Sequence, residues 1–439
     1  MHHEQAPYKR PGQLDPVFGT GGIVKLDNDE MKKNRINGIA VGPDNKIYIT
    51  GDRAIDFIGQ NMFLGRLDAN TGLFDKTFNG TGIIHHDNTR SIGTSILFQT
   101  EGKVLVVGRV GLDTAVFRYK KDGSLDLEFG TDGVVVILPP DDLVSTASGT
   151  KRSPDLSSRF GGGSPTCAAH LLAEDKILLI TKREVVVGRY HSYICVLNSD
   201  GSNDLTFNRT GDVKVAPPHF DPVVVQLTNV TVQSDQYVGC GAIWDRQNPH
   251  EAMFVRYENN GIVDTSFGEK GFVTIQSPAE NKGVRIEYLV KQNNGFILGI
   301  GDDFADFGSG VLVSLDTNGK PNNNFNNGQP LYTQLEKNSS TYWTGGGQVQ
   351  LDGKVVVAGG VGGFNSKVDI VVARFTNQGT FDTDFNEKGW VRTHLDLPEP
   401  TQNASAMTLH KDQAIIVAAS AADNPNGIRY SLILRYLQN

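Results

Sequence analysis

The sequence predicts an all-β protein: a seven-bladed β-propeller with four antiparallel strands per blade, closed by its N-terminal strand joining the C-terminal blade. Three observations carry that expectation. An acidic residue, two spacers, Phe and then Gly or Asn form a punctuation mark that recurs along the chain. Four short strands bounded by Gly, Asn and Asp turns fit between successive marks. The first repeat begins with a strand that the last repeat lacks.

The marks run LDPVFG at Asp15–Phe18, FDKTFN at Asp75–Phe78, LDLEFG at Asp126–Phe129 and NDLTFN at Asp204–Phe207. They continue as VDTSFG at Asp264–Phe267, PNNNFN at Asn322–Phe325 and FDTDFN at Asp382–Phe385. Their Phe-to-Phe intervals are 60, 51, 78, 60, 58 and 60 residues. The long interval contains residues 139–164, rich in Ser, Gly, Asp and Pro, which read as an inserted surface loop. A flap across one mouth of a channel is the alternative reading.

Each mark leads into a short apolar strand, such as GIVKL at Gly22–Leu26. A second strand (NGIAV, Asn37–Val41), a tight turn, and a third strand (IYITG, Ile47–Gly51) follow. The third strand is apolar at consecutive positions, the pattern of a strand covered on both faces, as a blade is by its neighbours. It ends on a small residue in every copy: Gly51, Gly108, Thr181, Gly241, Gly301, Gly359 and Ala418. Relief of crowding near a turn is the simplest reading. A fourth strand (FLGRL, Phe63–Leu67) returns to the next mark. The expected blades span 34–87, 91–138, 165–216, 223–276, 284–334, 343–396 and 403–439, with residues 14–27 as the closing strand. Six or eight blades would leave a strand over or short.

A charged pair co-varies inside the chain. The fourth strand carries Arg66, Arg118, Arg256, Arg374 and Arg435, and the first four precede Asp75, Asp126, Asp264 and Asp382 of the marks by eight or nine residues. The copy with Ser314 in place of Arg has Asn322 in place of the acid, whereas the copy with Val196 keeps Asp204. These residues read as a structural set of bidentate Arg–Asp clamps, with Arg435 reaching Asp15 across the closure.

Bulk properties narrow the function. The 439 residues carry 41 Lys and Arg against 49 Asp and Glu, net −8, with no basic cluster, which argues against nucleic acid. No stretch approaches the roughly eighteen apolar residues of a helical span, and the N-terminal residues contain no apolar leader core. A soluble monomer is expected, cytoplasmic or secreted by a route without a leader. The three cysteines, Cys167, Cys195 and Cys240, are far apart and sit in apolar segments, where Cys packs as a small hydrophobe.

At GSLDLEFGTDGVV (residues 123–135), preceded by FRYKKDG, the chain resembles the delta-sixty repeat family of bacterial proteins. The similarity extends over essentially the whole chain, with departures near Ser202–Phe207 and Lys320–Phe325. It implies a propeller-like fold and brings no catalytic residues with it.

Chemistry is expected where loops converge on one channel mouth. The most polar and aromatic loops are Asp52–Asn61, Lys182–Ser192, Ile243–Ala252 and Gly301–Gly310. Asp302, Asp303, Asp306, Trp244, Asp245, Arg246 and His250 are the candidate ligand-binding residues. The three aspartates of the last loop could offer oxygens to calcium, but no EF-hand spacing is present, and a solvated acidic loop is the simpler reading. No cofactor follows from any motif. His85 and His86 are adjacent on one strand and point to opposite faces. Asp68–Gly72 mimics a calcium loop but occupies a turn position in the repeat. Neither a nucleophile elbow nor a zinc signature occurs. A binding protein offering its loops to a glycan or a protein is the leading reading. A propeller enzyme of lyase or lactonase type and a structural module of a larger assembly are the alternatives.

Overall fold

The computed structural model describes residues 10–26, 34–55, 59–86, 90–138, 168–186, 189–218, 224–244, 249–280, 282–363, 367–395, 402–422 and 429–438. They form seven four-stranded antiparallel sheets. Blade 1 contains Asn34–Val41, Lys46–Ile55, Gly59–Asp68 and Ile83–His85. Blade 5 contains Val284–Lys291, Ile297–Asp303, Gly310–Leu315 and Leu331–Thr333, and blade 6 Ser340–Val349, Val355–Gly362, Asp369–Phe375 and Trp390–Thr393. Blade 7 joins Gln402–Leu409, Ile415–Ala422 and Arg429–Tyr436 to the N-terminal strand Ile23–Leu26, which lies on the outer edge with Ile23 opposite Leu434 and Leu26 opposite Ser431. The first strand of each blade meets its counterparts around the axis. The second strand is sandwiched: every residue of Ile297–Asp303 and Val355–Gly362 is buried. The apolar runs therefore reflect like sheets packed face to face.

The marks build the joints between blades. Each mark is a turn whose Phe is buried, and the backbone N–H after that Phe reaches the next blade. Asn79 N donates to Asp122 O (2.8 Å), Asn208 N to Asn260 O (2.8 Å) and Gly268 N to Asn318 O (2.8 Å). The corresponding donor of blade 6, Asn386 N, reaches Pro11 O (3.1 Å), so the N-terminal segment completes the last turn of the ring. Glycine is required in these receiving turns. At Gly201, with φ +91°, a Cβ would fall 2.9 Å from the ring of Phe129 in the preceding blade.

The Arg residues lie inside the same joints, with an altered geometry from the bidentate pairing expected. Arg118 Nε lies 2.8 Å from Asp126 Oδ2, Arg374 Nε 2.6 Å from Asp382 Oδ2, and Arg435 Nε 3.3 Å from Asp15 Oδ2 across the closure. In Arg256, Nε and Nη2 both converge on Oδ2 of Asp264, at 2.7 and 2.6 Å. The other carboxylate oxygen is already occupied, because Oδ1 accepts the N–H two residues on, as from Ser266 (2.9 Å) and Thr77 (3.1 Å). Nη1 of each Arg then crosses to the following blade: Arg118 to Ser199 O (2.7 Å), Arg374 to Gln438 O (3.0 Å) and Arg435 to Ala69 O (2.6 Å). Arg66, Arg118, Arg256 and Arg374 each lie over the Phe of their own mark, at 4.5 Å for Arg118 over Phe129. Lysines opening the second strand add a further charge, as Lys354 does at 3.0 Å from Asp382 Oδ2.

The two departures from the pattern are chemically complete. In blade 3 the lysine that opens the second strand is the cation left to the acid, with Lys176 Nζ 3.0 Å from Asp204 Oδ2. In blade 5, a neutral set replaces the charges: Asn322 Nδ2 donates to Ser314 Oγ (3.0 Å), which donates to Gln292 Oε1 (2.6 Å).

The small residues on the second strand of each blade, which is the third strand of the repeat counted from its mark, relieve crowding, but against a bulge in the inner strand and not against a turn. Register shifts occur at Ile36/Gly38, Gly93/Ser95, Leu227/Asn229, Ile286/Tyr288, Tyr342/Gly346 and Ala404/Ala406. Each brings the inner-strand backbone close, so that a Cβ on Gly359 would lie 1.6 Å from Tyr342 O. The second strand continues past this position, which places Asp52, Lys182, Asp302 and Asp303 on strands and not in loops.

Asp15→Ala removes one of the two carboxylates at the buried Arg435, whose Nη2 keeps Asp412, and leaves its Nε without an acceptor. It should lower unfolding stability by roughly 1–3 kcal/mol. The exposed Glu128→Ala should change it by less than about 0.5 kcal/mol, and parallel thermal melts of the two variants compare them directly. Gly359→Ala should cost roughly 1–3 kcal/mol through overpacking, read from denaturant midpoints at unchanged m-value.

Candidate functional site

Loops joining the second and third strands, and those joining one blade to the next, open on the mouth opposite the marks. At blade 5 the hairpin loop Phe304–Ser309 is strapped in place from three sides. Asp303 Oδ1 accepts the N–H groups of Ala305 (3.3 Å) and Ser309 (2.8 Å), capping the loop from within. Phe304 N donates to Gly283 O (2.8 Å) at the entry to blade 5, and Thr341 N of blade 6 donates to Gly308 O (2.8 Å). Such a loop is set by its scaffold, which preorganises whatever it presents.

Beneath it lie two buried carboxyls. Asp302 is 2% exposed, and its Oδ1 accepts the N–H of Trp343 (2.8 Å) from the inner strand of blade 6. Arg285 stands opposite Asp302 in the strand register, yet its Nε lies 2.6 Å from Glu287 Oε1. Burial drives the Asp302 carboxyl up to about 7, against the pull of Arg285 and the Trp343 N–H, with Glu287 and Asp303 reinforcing the rise. Burial raises Glu287 as well, opposed by Arg285. Glu287 occupies the bulge position, where the other inner strands place neutral side chains. There Thr228 donates to Ile286 O (2.6 Å) and Thr94 to Val107 O (2.9 Å).

Above these carboxyls is an open depression of about 470 Å³ lined by Asp303, Phe304, Ala305, Asp306 and Tyr342. Lys282 Nζ bridges to Asp306 Oδ1 at its rim (2.7 Å), and that contact holds the Asp306 carboxyl below its ordinary value. Arg285 lies 5.0 Å over the Phe304 ring, His250 meets the same ring edge-on at 5.4 Å, and Trp244 stacks at a tilt on His250 at 4.4 Å. Burial, and then Arg285, lower His250, favouring its neutral imidazole.

The structure thus brings Asp302, Asp303, Asp306, Trp244 and His250 to one mouth across blades 4 to 6. Asp245 and Arg246 lie outside the described residues. The three aspartates do not converge as calcium ligands would: one is turned to the Trp343 amide, one caps its own loop, and one faces solvent on Lys282. Among the described residues no group of three or more His, Cys, Asp and Glu side chains is placed to hold a metal ion. His85 and His86 face different neighbours, Phe63 and Phe117. Cys195 and Cys240 are buried, and burial pushes both thiols far up, which leaves them inert. Sequence reasoning missed Lys282, Arg285, Glu287 and Tyr342. The one usable signal was Glu287, an acid at a position that is neutral in the sibling repeats.

These features define a seven-bladed propeller with a built depression at one mouth. Residues 99–129 and 350–385 match the model of a family described as "Domain of unknown function (DUF5122) beta-propeller". Both stretches run from a turn through an Arg–Asp joint to its Phe, in blades 2 and 6. No curated protein matches the chain. Among solved structures, a virginiamycin B lyase from Staphylococcus aureus is similar at 11% identity and TM-score 0.43, covering 94% of this chain and 99% of that one. The NanB sialidase of Streptococcus pneumoniae is similar at 12% identity and TM-score 0.41, covering 98% and 71%. Drosophila Semaphorin 1b is similar at 8% identity and TM-score 0.44, covering 97% and 88%. Two of these are enzymes by name and one is a semaphorin, and likenesses this distant carry no activity across. No helix among the described residues is long and apolar enough to cross a membrane.

The raised Asp302 has a consequence for stability. Folding binds a proton that the unfolded chain, with an ordinary aspartate, has released. The contribution is therefore full below about pH 4 and is lost as pH rises through about 7, at up to about 1.4 kcal/mol per pH unit. Asp302→Asn keeps an acceptor for the Trp343 N–H and removes the titration. Between pH 5 and pH 8 its melting temperature should fall less than the parent's.

Proposed function

We propose that the chain is a recognition module that binds a glycan at the depression between blades 5 and 6. The observation that carries this reading is an exposed aromatic ring, Phe304, held on a strapped loop between Tyr342 and two carboxylates. Aromatic faces stack on the C–H side of sugar rings, while carboxylates accept the hydroxyl protons along their edges. Lys282, His250 and Trp244 extend the surface beyond the depression, enough for more than one residue of an oligosaccharide. The joints on the opposite face absorb the repeated residues, which leaves this mouth free to carry specificity.

A second reading is favoured by Asp302 and Glu287, two buried carboxyls around one arginine, the kind of perturbed pair found where proton transfer occurs. It expects turnover of a bound glycan, lost in Asp302→Asn with binding retained. The structural-module reading has less support: Leu73, Leu127, Leu205 and Ile262 are exposed on the mark face, each on a different blade.

A glycan array probed with and without EDTA tests the proposal. Binding should be insensitive to chelation, and Phe304→Ala should weaken it about tenfold or more. A blank array at high protein concentration would remove the glycan reading.

A further inference from the structure

Ten carboxyls are buried in the described part of the chain, and eight of them lie within ion-pair distance of a cation. Asp15 has Arg435, Asp52 has Arg35, Asp126 has Arg118, Asp204 has Lys176 and Asp264 has Arg256. Glu287 has Arg285, Asp369 has Arg392 and Asp382 has Arg374. The two exceptions are neighbours, Asp302 and Asp303. Asp302 is sealed beneath the mouth. Asp303 is different, because it borders the depression.

Asp303 is 5% exposed, and its Oδ1 is taken by two backbone N–H groups. No Lys or Arg among the described residues comes within ion-pair distance of it. The cations nearby are committed elsewhere, Lys282 to Asp306 and Arg285 to Glu287. Among the described residues the wall of the depression holds two carboxylates, two aromatic rings and no cationic side chain, with Lys282 at its rim held on Asp306. A buried carboxylate without a counter-charge is unfavourable, and every other buried carboxyl among the described residues has one within ion-pair distance except the sealed Asp302. Asp303 borders the depression, so a cation can reach it from there.

We infer that the depression takes a glycan bearing a protonated amine, an unacetylated hexosamine, with the ammonium group paired to Asp303 and the sugar face against Phe304 and Tyr342. This rests on the glycan reading above and deepens it. An ammonium group suits both partners, since ring faces also attract cations. A neutral acetamido or hydroxyl group at the same place would leave Asp303 without its counter-charge, and a uronic acid would be repelled by it. Lysine side chains offer the same ammonium on a peptide. The exposed Phe304 ring beside hydroxyl-accepting carboxylates favours the sugar.

The test is calorimetric titration of the full chain with a β-1,4-linked glucosamine tetramer, its fully N-acetylated counterpart and tetralysine. The free-amine tetramer should bind at least about tenfold more tightly than the acetylated one, and added salt should weaken it. Asp303→Asn keeps the Oδ1 that caps the loop, so its melting temperature should stay near the parent's while the preference for the free amine disappears. Equal affinity for the two tetramers, or a preference that survives in Asp303→Asn, overturns the inference and leaves the glycan reading intact. Binding of neither tetramer by a protein that is positive for other sugars does the same. A protein that binds no glycan at all removes both. Tetralysine binding as tightly as the glucosamine tetramer overturns the assignment to a sugar.

Discussion

The ring rests on one joint, made at the corner of a blade and repeated around the axis. In five of the seven blades the Arg reaches from its own mark to the turn of the next blade, where it donates to that turn's carbonyl. The carboxylate of the mark divides its oxygens between holding its own turn and neutralising the Arg. Because each guanidinium is buried, its charge acts at short range and low polarity, where losing one partner is costly. A single blade offers only half of two joints and cannot satisfy either. Stability therefore belongs to the ring, and the ring belongs to its closure, where Asp15 and Pro11 supply what blade 7 lacks.

The joint also divides the disc into two chemically different faces. On the mark face, Gly, Asp, Phe and Arg are held by geometry: a Cβ on the receiving Gly meets the neighbouring Phe, and a shortened Arg loses the next blade. On the opposite face the loops answer to no such constraint. The candidate site sits where the repetition is weakest. Blade 5 has replaced its charged joint by Ser314, Asn322 and Gln292, and it carries Glu287 and Asp303 at positions that its described siblings fill with other residues, whereas Asp302 has a counterpart in Asp52 of blade 1. Charge is thus absent from the buried joint of this blade and buried instead at its opposite end.

The inner-strand bulges connect these two roles. Each bulge forces the backbone of the inner strand against the second strand, which selects Gly there in most blades, and it turns one side chain toward the neighbouring blade. Thr228 and Thr344 use that position to bond the next inner strand. Glu287 occupies it with a carboxyl, and the cost of burying that group is offset by Arg285. A structural position in the other bulged repeats has become an electrostatic one in blade 5.

Period, strand count, blade number and closure were legible in the amino-acid order, because each depends on local turns and on apolar runs that repeat seven times. The Arg–Asp pairing was legible too, since two copies vary it, with Ser314 matched to Asn322. What the Arg does next was not: its bond to Ala69 or Ser199 joins residues brought together only by the curvature of the ring, and no spacing records it. The site was half legible for the same reason. Asp302, Asp303 and Asp306 stand out as an acidic run, but whether a carboxyl is sealed, capped or paired is decided by the folded hairpin loop and by neighbours such as Trp343 and Lys282. Local sequence determined the parts of this protein, and packing around the axis decided which carboxylate was left facing open space without a cation.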